Sequence, residues 1–206
     1  MLDIHTSIHK SVIKSQHCQR NWDLSQPIPQ TDIDLMIHAA TQCPSKQNNA
    51  FYGLSVVQDR NIIEQIHENT HGFRLFNEKN EIITNSQVLA NILFVFESVE
   101  PSSRVLDKNE LDENSDQTII QRDATIALGI ASGYLNLTST MLGYSTGCCQ
   151  CLDPEPIKEI LQTDREILLL MGVGHKNPNL NRRIHHADND KIFYSIPKEP
   201  IKIKHY

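Results

Sequence analysis

Helix-like and strand-like segments alternate along the chain, with helix in excess, which predicts a layered α+β or α/β domain. Two short apolar runs, Asn91–Phe96 and Ile167–Met171, have the length and composition of buried strands. Between them lie longer segments whose apolar residues recur at helical spacing. With 206 residues, 39% hydrophobic and 21% charged, the chain has enough apolar material for the core of a single domain over residues 1–206.

In order, His5–Ser15 predicts a first helix with Ile8, Val12 and Ile13 on one side. Thr31-Asp32-Ile33-Asp34 reads as a capping-box start, the threonine hydroxyl accepting from the backbone three residues on. The helix continues through Leu35, Ile37, Ala39 and Ala40 and closes at Cys43. Leu54–Val57 predicts a strand, and Arg60–Glu68 a helix on Ile62, Ile63 and Ile66. Glu78–Asn85 predicts another helix. Residues 99–115 are polar, with Pro101 and the acidic group Asp107, Glu110, Asp112 and Glu113, and read as a surface excursion. Ile119–Leu142 is the longest helical segment. Its Ala124, Ala127, Gly129, Ala131, Ser132 and Gly133 let another backbone approach, as in a central helix. Asp153 opens a short helix to Leu161, with Pro154 in the first turn, where no N–H is needed. Residues 177–206 read as a polar, proline-punctuated, extended tail.

A net charge of −6 argues against nucleic-acid or anionic-membrane binding, both of which need basic surface. The longest apolar run, Ile167–Val173, is seven residues, far short of a membrane span. The first residues lack a basic start followed by an apolar stretch, so no export signal is expected. Five cysteines, an odd number, read as reduced thiols, and a cytoplasmic protein is the expectation. No P-loop, G-x-S-x-G or H-E-x-x-H occurs. Gly172-Val173-Gly174 follows a strand, but the third glycine of the dinucleotide fingerprint is missing and Pro178 opposes the required helix.

Five constellations can carry chemistry. Gln16-His17-Cys18-Gln19-Arg20 reads either as a phosphate or ring-oxygen contact with Arg20 as fixed cation, or as a polar turn with Arg20 paired to a surface carboxylate. Pro44-Ser45-Lys46-Gln47-Asn48 is a helix stop that also offers a hydroxyl, an ammonium and a carboxamide. Asn77 before Glu78 is an ordinary N-cap or a single carboxamide contact. Cys148, Cys149 and Cys151 around Gln150 invite a metal, but no second Cys-x-x-Cys or spaced histidine pair completes a set. A tight turn against a ligand is expected there instead, and no metal. Arg182-Arg183 is a solvated basic patch or a phosphate clamp.

Taken in order, these segments resemble the nitroreductase family of FMN-dependent oxidoreductases, over roughly Ile4 to Arg183. Gln16–Asp23 stands where the family has its basic-x-Ser-x-basic motif. Ala39-Ala40-Thr41-Gln42-Cys43-Pro44-Ser45-Lys46-Gln47-Asn48 is similar to its Ala-Ala-x-x-(Ala/Ser)-Pro-Ser-x-x-Asn segment. Phe76-Asn77-Glu78, the helix ending Leu142-Gly143, the strand Leu168–His175 and Arg182-Arg183 follow in the family's order.

The resemblance implies an α+β three-layer fold with a central mixed or antiparallel sheet flanked by helices, an intertwined homodimer, and FMN at the dimer interface. It implies that Arg20, with Gln16, His17 and Cys18, contacts the flavin, and that Ser45, Lys46 and Asn48 reach it from the partner subunit, with Pro44 shaping that loop. Asn77 is expected on the pyrimidine side, Cys149, Gln150 and Cys151 near flavin N5, and Arg182 and Arg183 on the phosphate. The implied activity is ping-pong: NADH or NADPH passes hydride to N5, and an electron-poor small-molecule acceptor such as a nitroaromatic or quinone then takes it. No side chain need act as acid or base. The family's usual arginine is Gln16 here, its serine is Cys18, a frequent second basic contact is Asn80, and its Gln-Pro-Trp is Ala50-Phe51-Tyr52. Fewer cations imply weaker FMN retention. They also suggest an alternative, a flavin-binding protein of the same fold with a specialised or lost reductase activity.

Overall fold

The computed structural model describes residues 3–74, 82–101, 113–194 and 196–206. It begins with helix α1 (Ile4–Ser15), a short strand β1 (Trp22–Asp23) and helix α2 (Gln30–Thr41). Strand β2 (Tyr52–Val57), helix α3 (Arg60–Glu68) and the short strands β3 (Phe73–Arg74) and β4 (Ile82–Ile83) follow. Then come strand β5 (Ile92–Ser98), the long helix α4 (Glu113–Met141) and strand β6 (Ser145–Cys149). Helix α5 (Pro154–Leu161), strand β7 (Ile167–Lys176) and the hairpin strands β8 (Ile184–His185) and β9 (Asp188–Ile192) complete it.

Strand β7 organises the sheet. One edge pairs with β5, from Ile92 opposite Val173 to Glu97 opposite Ile167. Its other edge serves two strands in tandem, β6 along residues 170–174 and β1 at His175 and Lys176. Strand β2 pairs with the far side of β5. Every pairing among the described residues is antiparallel.

Both faces of this sheet are buried, which is why β5 reads as a continuous apolar run rather than an alternating one. Ile92, Phe94 and Phe96 of β5 face the side of α2 and α4, packed with Met36, Ala40, Ala131 and Leu135. Leu93 and Val95 face the other way, against Ile63 and Ile66 of α3 and Ile157 of α5. The result is three layers, helix–sheet–helix, with one apolar core on each side of the sheet. Each fully buried side chain of this kind contributes about 2–3 kcal/mol.

Helix α4 meets the sheet through every fourth residue: Asp123, Ala127, Ala131, Leu135 and Ser139 are all buried. Its glycines are elsewhere. A Cβ at Gly129 or Gly133 would touch nothing within 4 Å. Within the single chain, Ala127 and Ala131 are the small residues of this set that are buried. The helix ends in a Schellman motif. Gly143, at φ +98°, donates to Thr140 and Tyr144 donates to Ser139.

Several expectations are corrected. Helix α2 starts before Thr31, whose hydroxyl does not cap it. The N-cap is Pro29, at φ −58°, and its carbonyl accepts from Asp32 and Ile33. The end of the predicted helix Glu78–Asn85 is instead strand β4, where Ile83 is fully buried, followed by a 3-10 turn at Ser86–Val88; residues 78–81 lie outside the described set. The long helix begins at Glu113, six residues before Ile119, so it includes the end of the expected excursion 99–115. Of that excursion, residues 102–112 lie outside the described set. The tail from 177 is not simply extended: it folds back through β8 and β9 and buries Phe193.

The 3-10 turn Ser86–Val88 lies directly on the sheet. A Cβ at Gly172 would sit 2.1 Å from the Gln87 carbonyl oxygen, and one at Gly147 would sit 2.5 Å from the Gln87 Cβ. Two neighbouring strands thus carry glycine where the turn must touch backbone. Gly172→Ala is expected to lower stability by about 3 kcal/mol through this overlap. Urea unfolding of the variant checks it: the midpoint falls while the slope stays constant.

Candidate functional site

The segment between α1 and β1 is tied at both sides. The Gln19 N–H donates to the Thr146 carbonyl at 2.8 Å, and the Arg20 N–H to the Arg182 carbonyl at 3.0 Å. Such an extended strip sends alternate side chains to opposite sides. Cys18 and Arg20 go to one cleft, while His17 and Gln19 line a separate cavity beside Arg182.

Arg20 is the centre of the cleft. Its guanidinium donates to the Gln87 side-chain oxygen and lies 4.1 Å from the centre of the Phe193 ring. Gln87 is held in turn by the Asn85 and Cys148 oxygens, both at 3.3 Å. The Ser86 hydroxyl donates to the Arg20 carbonyl at 2.8 Å, and the Trp22 indole donates to the Ser86 carbonyl at 3.0 Å. The glycine-seated turn therefore fixes both the backbone and the head of Arg20. Among the described residues no carboxylate pairs with it. Burial lowers its pKa from the ordinary value, and Cys18, Cys149, Arg182 and Cys151 are the charges close enough to act on it. An arginine so placed still keeps its charge.

The thiols near it, Cys18, Cys149 and Cys151, are free, as is Cys148 on the opposite face of β6. Burial pushes Cys148 up to about 12, with Cys18 and Cys149 adding to the effect. Burial likewise pushes Cys149 up to about 11, although Arg20 pulls it the other way.

The two terminal arginines diverge. An Arg182 Nη donates to the Cys18 carbonyl at 3.4 Å, whereas an Arg183 Nη donates to the Phe193 carbonyl at 3.2 Å. The Phe193 N–H returns a bond to the Arg183 carbonyl at 2.9 Å, which closes the β8–β9 hairpin over Arg20. Phe193 also stacks on His185, with ring centres 6.0 Å apart and planes 11° from parallel.

The elbow Pro44–Asn48 lies elsewhere in this chain. It is a 3-10 turn in which Gln47 and Asn48 both take left-handed backbone, φ +55° and +54°. Two consecutive non-glycine residues there store strain of about 1 kcal/mol or more each, as binding loops often do. The Ser45 hydroxyl donates to the Asn49 carbonyl at 2.7 Å, and Lys46 pairs with Asp123 of α4 at 2.7 Å. Burial alone would raise the Asp123 carboxyl, but Lys46 and Arg122 outweigh it and hold it below the usual range. Pro44, Ser45 and Lys46 border a cavity of about 270 Å³ with Asp123, Ile126, Ala127 and Ile130.

No protein-family profile matches the chain, and no curated protein sequence does. Solved structures do. A nitroreductase family protein from Clostridium novyi superposes with a TM-score of 0.62 at 17% identity, over 91% of this chain and 94% of its own. A Staphylococcus epidermidis protein assigned as an NAD(P)H:FMN oxidoreductase matches with a TM-score of 0.60 at 17% identity, over 98% and 97%. An Exiguobacterium sibiricum protein assigned as a nitroreductase, solved in complex with FMN, matches with a TM-score of 0.62 at 14% identity, over 97% and 94%. The chain has the nitroreductase fold.

Within that fold, the structure brings Cys18, Arg20, Cys149, Cys151 and Arg182 into one neighbourhood. Gln16 and Gln150 are exposed, and Arg183 joins the neighbourhood through Phe193. Pro44, Ser45, Lys46 and Asn48 belong to the separate elbow on α4, and Asn77 lies outside the described residues. Sequence reasoning missed Gln87 and Phe193. Gln87 belongs to no motif and is placed only by the glycines beneath it. Phe193 lies in a polar tail, where a lone aromatic residue before Tyr194 was the available signal.

The hairpin is fastened by histidines. The Ala187 N–H donates to His185 Nδ1 at 3.1 Å, so neutral His185 carries its proton on Nε2 and donates to Thr84 Oγ1 at 2.9 Å. The Thr84 hydroxyl then donates to His67 Nε2 at 3.1 Å. Burial pushes His67 down to about 4, with His185, Arg60 and His186 acting in the same direction and Glu64 opposing them. His185 and His186 are also lowered, by burial first. The folded state keeps His67 neutral, whereas the unfolded chain protonates it near the ordinary value of 6.5. Stability from this group is complete above that value and drains away as pH falls toward about 4. Unfolding measurements from pH 7 downward should show a steeper acid loss for the natural protein than for His67→Gln.

Proposed function

We propose that the protein is an FMN-dependent oxidoreductase that draws electrons from NADH or NADPH. The observation that carries this reading is Arg20: a partly buried guanidinium, clamped by Gln87 and lacking a carboxylate partner among the described residues, inside a fold shared with an FMN-binding protein. A fixed cation without a counter-ion suits a cofactor that carries a phosphate and gains negative charge on reduction. The surrounding donors, Gln87, Arg182 and Arg183, fit the same group. Bound FMN would supply the hydride chemistry, accepting from the nicotinamide and, after it leaves, delivering to an electron-poor acceptor such as a nitroaromatic or quinone.

The chain's own residues bind and orient. Arg20 presents positive charge to the ring or ribityl region and Arg183 to the phosphate. The raised thiol of Cys149 remains neutral at physiological pH and so borders the cleft without competing charge. No side chain is required as acid or base. The elbow residues Pro44, Ser45, Lys46 and Asn48 act from a second copy of the chain, because within one copy Lys46 is paired with Asp123 of α4 and the Ser45 hydroxyl with Asn49. Exposed apolar side chains supply a surface for that second copy: Ile126, Tyr134 and Met141 on α4, and Ile4, Ile8 and Val12 on α1. A homodimer acting on small molecules, in the cytoplasm, is the setting this reading requires.

The purified protein should show a flavin visible spectrum, or acquire one with FMN, and NADH or NADPH should bleach it without oxygen. Arg20→Gln is expected to weaken FMN binding about tenfold or more, by loss of one charge-assisted contact. A protein that never binds FMN, or an Arg20→Gln variant with undiminished affinity, would remove this reading.

A further inference from the structure

Three histidines meet where the β8–β9 hairpin lies against the rest of the chain, and each uses a ring nitrogen as an acceptor. His185 Nδ1 accepts from the Ala187 N–H at 3.1 Å, His186 Nδ1 from the Trp22 N–H at 3.2 Å, and His67 Nε2 from the Thr84 hydroxyl at 3.1 Å. The first bond shapes the turn of the hairpin and the second fastens it to β1. The third ties it to α3, since Thr84 also bonds His185 at 2.9 Å. An accepting nitrogen must carry no proton. The Thr84 hydroxyl can turn away from a protonated His67. The N–H groups of Ala187 and Trp22 cannot turn, because the backbone fixes them. A proton on His185 Nδ1 or His186 Nδ1 therefore sets donor against donor and breaks the bond.

The fastened hairpin acts as a cover. The Phe193 ring is buried, lies 4.1 Å from the Arg20 guanidinium and stacks on His185. The ring that covers Arg20 thus rests on one of the histidines that must stay neutral. The surroundings resist further positive charge. Burial acts first on His185, and Lys191, His186 and Arg20 act in the same direction, with Asp188 opposing. Burial also acts first on His186, with Arg60 in the same direction and Glu64 opposing. Both histidines are held below the ordinary value of 6.5, so the stability they lend is complete above it and is lost as pH falls.

We propose that the β8–β9 hairpin is a pH-released cover on Arg20, held shut by neutral His185 and His186 and let go when either takes a proton. The core is not part of the device: β5, at its centre, carries no histidine. Release uncovers an arginine that has no carboxylate partner among the described residues, so mild acid opens the cleft to anionic molecules while the layers beneath stay folded. The proposal stands apart from the flavin reading, since it concerns contacts of the chain with itself.

Amide hydrogen exchange of the full-length protein tests it, followed by NMR from about pH 7.5 to about pH 5 and corrected for the intrinsic effect of pH, a range that spans the ordinary histidine value. The N–H groups of Trp22, Ala187 and Phe193 should lose protection, by up to about tenfold for each pH unit and each histidine protonated. Val95 in β5 should keep its protection. His186→Asn, whose carboxamide oxygen can accept from the Trp22 N–H without titrating, should remove most of the acid loss at Trp22. His185→Asn should do the same at Ala187. His38→Asn, a change at an exposed histidine of α2, should alter neither. His186 is only partly buried, so its variant decides the matter should His185→Asn fail to fold. Protection at Trp22, Ala187 and Phe193 that is the same at both ends of the range overturns the proposal. So does loss at Val95 at the same pH, the mark of whole-chain unfolding, or an equal acid loss in His38→Asn and His186→Asn.

Discussion

The arrangement depends on one strand having two partners in line along the same edge. β7 spends residues 170–174 on β6 and then, beyond the end of that ladder, pairs His175 and Lys176 with β1. This tandem pairing brings the strip 16–20 beside β6 and the segment from 181 beside the strip. Arg20, the thiols at 148–151, and the segment holding Lys176 and Arg182 come from three distant stretches of sequence. Their proximity follows from this edge, and the glycine-seated turn at Ser86–Val88 adds Gln87 from above.

Much of this architecture can be read from residue pattern. The strands at Asn91–Phe96 and Ile167–Met171 are apolar on both faces because helices cover both, and α3 and α5 keep their apolar stripe and N-terminal proline. The misreadings have physical causes. Glu78–Asn85 has helix-forming residues, but Ile83 pairs with Phe73 and is buried, and long-range pairing overrides local preference there. Thr31 looks like a cap, yet Pro29 starts the helix first. Arg20 and the arginine pair were visible as charges. Which charges share a cleft was not, because adjacent residues such as Arg182 and Arg183 bond in different directions.

Arg20 and Lys14 solve the same electrostatic problem differently. Arg20 is stabilised by a carboxamide and an aromatic face, which accept a guanidinium without neutralising it. Lys14 rests on a backbone carbonyl, which also leaves its charge intact. Lys46, by contrast, is neutralised by a buried carboxylate on α4. Within a single chain Lys46 is thus paired, whereas Arg20 and Lys14 have no carboxylate partner among the described residues.

The tandem edge also sets the order of assembly. Residues 19–22 find their hydrogen-bond partners at Thr146, Lys176, Arg182 and His186, more than a hundred residues later in the chain. Such distant closure is slow, since loop entropy is lost before the contacts form. The Ser86–Val88 turn reaches Trp22 and Arg20 earlier in the chain, but the backbone pairing of the strip must wait for these later segments. The cleft is therefore complete only once the segment from 181 has joined the strip.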